Sequence, residues 1–190
     1  MEITLFIILG VLLIILIYAV LIYNNLVSIK HNVTRSWANI DVSLKQRHDE
    51  LPKLVEVCKQ YMGYEQETME KIMKARSAVA NARESGNVGA LGAAESQLRF
   101  GLGNLFALAE AYPELKADQS FQHLQSRITG LENTIADRRE YYNEAVNINN
   151  VRIEQFPDVI IAKLFSFLPA ILLEFSEEEK KDVNVKELFS

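Results

Sequence analysis

Apolar residues fill the first stretch of the chain and recur at helical spacing through most of the remainder. From Ile3 to Ile22 every position except Thr4, Gly10, Tyr18 and Ala19 is Ile, Leu, Val or Phe, and neither charge nor proline intervenes. About 20 such residues, rising about 1.5 Å each, cross a hydrocarbon core of about 30 Å. Residues 3–23 are therefore predicted to be a transmembrane helix, with Leu5, Leu12 and Leu16 among its lipid-facing residues. Tyr18 and Tyr23 would stand near its inner end, where amphipathic rings favour the headgroup region. No Lys or Arg precedes the run, the run is long for a signal peptide, and no A-x-A site comes after it, so it reads as a retained anchor. Glu2 is the lone charged side chain before the span, whereas Lys30 and Arg35 come after it. By the positive-inside bias, residues 1–2 lie outside and the C-terminal domain lies in the cytoplasm.

Beyond the span, Leu26, Ile29, Val33, Trp37, Ile40 and Leu44 repeat at intervals of three and four, close to a coiled-coil seam. No breaker separates Tyr23 from Leu26, so the anchor is expected to run into this helix without a joint. Pro52 lacks an amide hydrogen and disfavours helical geometry at Leu51, which predicts a kink or short break there. Helical spacing resumes through Val55, Cys58, Met62, Met69, Ile72 and Val79, until Glu84-Ser85-Gly86-Asn87 reads as a turn. A third helix is predicted from Val88 to Ala111 on Leu91, Leu98, Leu102, Leu105 and Ala109, weakened by four glycines. Tyr112 to Lys116 reads as a loop. Asp118 or Ser120 can cap a last long helix with Phe121, Leu124, Ile128, Leu131, Ile135, Tyr142 and Ala145 on its seam, closing near Phe156. The expected fold is all-α: an N-terminal transmembrane helix continuing into an elongated antiparallel helical bundle over residues 24–156.

After Pro157 the pattern changes. Val159 to Leu173 is apolar except for Lys163, Ser166 and Pro169. Segment 157–175 has two readings: it docks on the bundle, or it lies on the bilayer through Val159, Ile160, Leu164, Phe165, Phe167, Leu168, Ile171 and Leu172. Lys163 could snorkel to the headgroups in the second case. Residues 176–190, opening with Ser176-Glu177-Glu178-Glu179, read as a solvated acidic tail.

Composition narrows the chemistry. The chain has 190 residues and a net charge of −5, with no basic footprint for nucleic acid. Cys58 is the single cysteine, so no intramolecular disulfide can form and no Cys/His spacing suggests zinc. HExxH, P-loop, GxSxG and GxGxxG patterns do not occur, and His31, His48 and His123 share no ligand spacing. No catalytic, cofactor-binding or metal-binding residue is expected. Asp41, Arg47, Asn133, Arg138 and Asn143 lie in or beside the seams. They read either as a buried network that fixes helix pairing or as solvated side chains at the seam edges.

Specific blocks resemble the LemA family of bacterial membrane-anchored proteins. They are Tyr23-Asn24-Asn25-Leu26-Val27, the run from Trp37 to Asp49, Leu51-Pro52-Lys53-Leu54-Val55, and Tyr112-Pro113-Glu114-Leu115-Lys116-Ala117 with Phe121 and Leu124-Gln125. Glu132-Asn133-Thr134-Ile135-Ala136, Arg138, Tyr142-Asn143-Glu144-Ala145-Val146, Asn149, Phe156-Pro157 and the run from Ile161 to Phe167 complete the match. The resemblance implies an extracytoplasmic N-terminus, one span, a cytoplasmic helical bundle and no established enzymatic activity. Some relatives are associated with magnetosome membranes, which implies a role in shaping or organising bilayers. Leu168-Pro169-Ala170-Ile171-Leu172-Leu173 departs from the family pattern, where a more polar stretch is expected, and favours membrane contact.

The leading functional expectation is a non-enzymatic, self-assembling organiser of the bacterial cell membrane. Its partners would be the bilayer and further copies, met through the anchor and the first long helix. The alternative is a cytoplasm-facing adaptor that binds another membrane protein, such as a protease or sensor. An enzyme is the third class and would need a deep polar cleft with titratable groups.

Overall fold

The computed structural model describes residues 2–174. Phe175 and the acidic tail over 176–190 lie outside the described residues. Among those described, all regular structure is helical: α1 (Glu2–Tyr61), α2 (Gln66–Glu84), α3 (Val88–Ala109), α4 (Pro113–Ala117), α5 (Gln119–Glu154) and α6 (Asp158–Leu164). The described chain forms two compact units. One comprises residues 2–39 and 140–172, the other 40–139 and 173–174.

In the first unit, the early part of α1 pairs antiparallel with the late part of α5. Trp37 packs against Tyr142 in a tilted arrangement, with ring centroids 5.3 Å apart. Arg152, further along α5, donates from Nη2 to Oδ1 of Asn25, earlier on α1, at 3.1 Å. The buried core here is small: Ile22, Leu26, Ile153 and Ala162, with Ile161 and Phe167 packed against them. Fully burying one large apolar side chain stabilises by about 1.5–3 kcal/mol. The chain turns after α6 at Ser166, whose φ of 55° lies in the left-handed region that non-glycine residues seldom occupy. It then returns along α5 without regular structure. Side chains of α5 serve its backbone: Tyr142 donates its hydroxyl to the carbonyl of Ile171 at 2.8 Å, and Asn150 bonds both the N–H and C=O of Ala170 at 2.9 Å. Asn149, itself buried, donates to the carbonyl of Leu168 at 3.4 Å. These side chains replace the ladder that an extended segment would otherwise need.

In the second unit, Ile40, Leu44, Leu51 and Leu54 of α1 are buried, as are Ile72 of α2, Leu98 and Leu102 of α3, and Phe121 and Ile128 of α5. Three local expectations are corrected. No helix break occurs after Leu51, because α1 continues through Pro52 to Tyr61. Proline removes the amide that would bond the carbonyl four residues earlier, that of His48. Arg76 of α2 supplies the missing donor, with Nε 2.9 Å from that carbonyl. The helix expected to run on to Val79 instead stops at Met62-Gly63-Tyr64-Glu65 before α2 starts. The predicted loop at 112–116 contains α4, opened by Pro113 at its first turn, where proline's fixed φ suits a helix.

Other boundaries arise from local chemistry. Gly86, at φ 65°, ends α2 in a Schellman arrangement: its N–H reaches the Arg83 carbonyl at 3.1 Å and the Asn87 N–H reaches that of Ala82 at 3.0 Å. Asn87 caps α3 through the Ala90 amide at 3.0 Å. Asp118 caps α5 through the Phe121 amide at 2.9 Å, and that bond holds its carboxyl below the usual aspartate range.

Candidate functional site

Two features of the described residues stand out chemically, one in each unit. In the second unit, Arg47 of α1 sits among hydrophobic seam residues at 2% exposure and is paired with Glu95 of α3, at 3%. Its other terminal nitrogen donates to Glu132 of α5 at 2.8 Å. Arg99 approaches the second oxygen of Glu132 at 4.0 Å and balances the extra negative charge. One guanidinium thus ties three helices together. Its fork geometry suits two carboxylates at once, which a lysine could not match. The cavity beside these groups has a volume of about 10 Å³, too small for an organic substrate.

The other seam residues singled out from sequence fall elsewhere. Asp41 meets Arg83 of α2 at 3.5 Å, and Arg138 donates to Ser43 at 2.6 Å. Asn133 is exposed, and Asn143 is half-buried in the first unit. Glu95 and Glu50 are not among the residues that the sequence singles out, and Glu132 enters there only within a family block, not as a member of the polar network. Glu95 is detectable: it lies four residues after Leu91 and three before Leu98, on the seam of α3. Glu50 is nearly buried and bridges Lys53 at 3.2 Å and Arg127 at 3.1 Å. Burial alone pushes the Cys58 thiol up to about 11, and burial with the nearby Arg76 charge lowers the pKa of His48. No group of three His, Cys, Asp or Glu among the described residues is placed to hold a metal ion.

The first unit holds the apolar feature. Among the described residues, α1 alone is long and apolar enough to cross a membrane. Leu5, Leu12, Leu16 and Tyr18 are exposed, and Tyr23 is partly so. The Tyr23 ring touches two phenylalanines from the C-terminal segment, Phe165 at 4.7 Å and Phe167 at 5.9 Å between centroids. Within that segment Val159 and Phe167 are half-buried, while Ile160, Leu164, Phe165, Leu168, Ile171 and Leu172 remain exposed. Phe156, at the turn between α5 and α6, is 82% exposed. The segment therefore packs on its unit through one face and leaves a second, strongly apolar face open. Asp158, the acidic residue at the start of α6, is turned inward onto Arg152 at 2.7 Å.

Comparison with known proteins decides the family. Residues 36–186, most of the chain, match the LemA family. The chain belongs to the LemA family. It is 27% identical over 167 residues to Protein LemA of Metamycoplasma hominis, covering 87% of this chain and 74% of that protein. It is 23% identical over 168 residues to Magnetosome protein MamQ 2 of Paramagnetospirillum magneticum, and 24% identical over the same length to Magnetosome protein MamQ of Magnetospirillum gryphiswaldense. Each of these two matches covers 76% of this chain but only 62% of the relative's length. LemA membership, the exposed apolar helix and these relatives together fit a membrane-associated protein.

Proposed function

We propose that this LemA-family chain is a non-enzymatic protein of the bacterial cytoplasmic membrane that self-assembles and thereby organises or shapes that membrane. Residues 3–23 cross the bilayer, residues 1–2 stay outside, and residues 24–156 with the C-terminal segment face the cytoplasm. The observation that carries self-assembly is a row of exposed apolar side chains on α5, which the exposed Glu144 interrupts. Tyr141 is 73% exposed, and Ile148 and Val151 are also open. Intervals of seven and three put these three side chains on one face of the helix. Anchoring places every copy at the same depth, so these rows on neighbouring copies face each other at one height. Confinement to two dimensions raises their effective concentration without new contacts. A closed ring or dimer about an axis normal to the bilayer satisfies that geometry. Relatives bearing magnetosome names support the membrane setting.

Light scattering on the full-length protein in mild detergent, beside a chain starting at Asn25, tests the reading. A defined oligomer that falls to monomers when the anchor is removed is the expected result. A monomer with a stoichiometric second protein on crosslinking would replace self-assembly with the adaptor reading.

A further inference from the structure

We infer that the turn joining α5 to α6, with α6 and the turn after it, is a second membrane contact that inserts in the leaflet where α1 leaves the bilayer. This rests on α1 spanning the membrane, as proposed above, and is independent of self-assembly. The depth is set by contacts inside the first unit. Side chains on a helix lean toward its N-terminus, so the Tyr23 ring covers the turn before it, within the apolar run. Phe165 packs against that ring in a tilted arrangement, with centroids 4.7 Å apart. Ile153 and Ala162 pack on Ile22 and Leu26, the last residue of the run and the next turn. Since α5 runs antiparallel to α1, Phe156 lies still further toward the bilayer. A span of about 30 Å beginning at Ile3 ends at this level.

The chemistry of the outer face agrees with lipid. Ile160 and Leu164 lie one turn apart on α6, Phe156 precedes it and Leu168 follows it, and they are exposed at 56%, 71%, 82% and 77%. Soluble surfaces seldom leave such a cluster of large apolar side chains in water. Lys163 is exposed among them and can extend its ammonium to the headgroups, while the Asp158 carboxylate is withdrawn onto Arg152. Thus no carboxylate of α6 opposes insertion. Ile171 does not belong to this contact. Its carbonyl is held by Tyr142, about two turns of α5 back from Asn149, which carries the chain at Leu168. That places Ile171 about 10 Å further from the bilayer at about 1.5 Å per residue.

The test uses the full chain in vesicles of phosphatidylcholine and phosphatidylglycerol. A nitroxide is attached in turn to Phe156→Cys, Leu164→Cys, Leu168→Cys, Ile171→Cys and Leu12→Cys. Cys58 is buried with a raised pKa, so labelling is selective. Collisions with oxygen, which concentrates in lipid, and with a water-soluble nickel chelate report depth. The expected result is oxygen-dominated relaxation at 12, 156, 164 and 168, and nickel-dominated relaxation at 171. Nickel access at 156, 164 and 168 with Leu12 still in lipid overturns the contact and leaves the anchor standing. Loss of access to both reagents at those sites means that protein covers them, which also overturns it. Nickel access at Leu12 would overturn the anchor and this contact together.

Discussion

Arg47 and Glu95 form an ion pair in which both side chains are almost sealed from solvent, and Glu132 shares the same guanidinium. Such a pair adds little over a well-packed apolar replacement, but losing one partner strands a buried charge. Arg47→Met should therefore cost about 3–5 kcal/mol in urea unfolding, whereas exposed Arg99→Met should cost less than about 1 kcal/mol. Equal costs would mean that the cluster is solvated.

Pro52 and Arg76 should be coupled through the His48 carbonyl. In the native chain, Arg76→Ala leaves that acceptor without a donor, at a cost of about 1–3 kcal/mol. In a Pro52→Ala background the amide restored at position 52 can take over the carbonyl. Arg76→Ala should then cost at least about 1 kcal/mol less in a double-mutant cycle. Additive losses would show that Arg76 acts through something other than this bond.

His48 carries a pH prediction. Burial first, then the Arg76 and Arg83 charges, lower its pKa, while Asp49 and Glu84 oppose them. The unfolded chain, with an ordinary histidine pKa of about 6.5, takes up a proton that the folded chain resists. The stability tied to neutral His48 is present above that value and is lost as pH falls through it toward the folded pKa. Melting temperature should drop more from about pH 7.5 to about pH 5.5 in the native chain than in His48→Gln. Parallel curves would remove His48 from the pH response.

The helical fold class is legible in the sequence because intervals of three and four recur from Leu26 to Leu44 and from Phe121 to Ile135, and those seams depend on local spacing alone. Asp118 shows its capping role for the same reason. What escapes is non-local. Nothing near Pro52 announces that Arg76, on another helix, supplies its missing donor. Met62-Gly63-Tyr64 sits within an otherwise continuous apolar period, which hides the end of α1. Glu95 satisfies the spacing of α3, but its partner Arg47 comes from a distant helix. The apolar segment after Pro157 has no period that separates its packed face from its open one. That division arises from non-local contacts: Ile161, Ala162 and Phe167 pack with Ile22, Leu26 and Ile153, and Tyr142, Asn149 and Asn150 hold the backbone from Leu168 to Ile171.

Self-assembly in the plane of the membrane is the central claim, and counting copies there tests it most directly. Single-particle photobleaching of the full-length protein carrying one fluorophore at its C-terminus, in native membrane patches, reads that number. The account predicts several bleaching steps per particle, reduced when Tyr141, Ile148 and Val151 of the α5 row are replaced by serine. Single-step bleaching at native expression, unchanged by those substitutions, would contradict it.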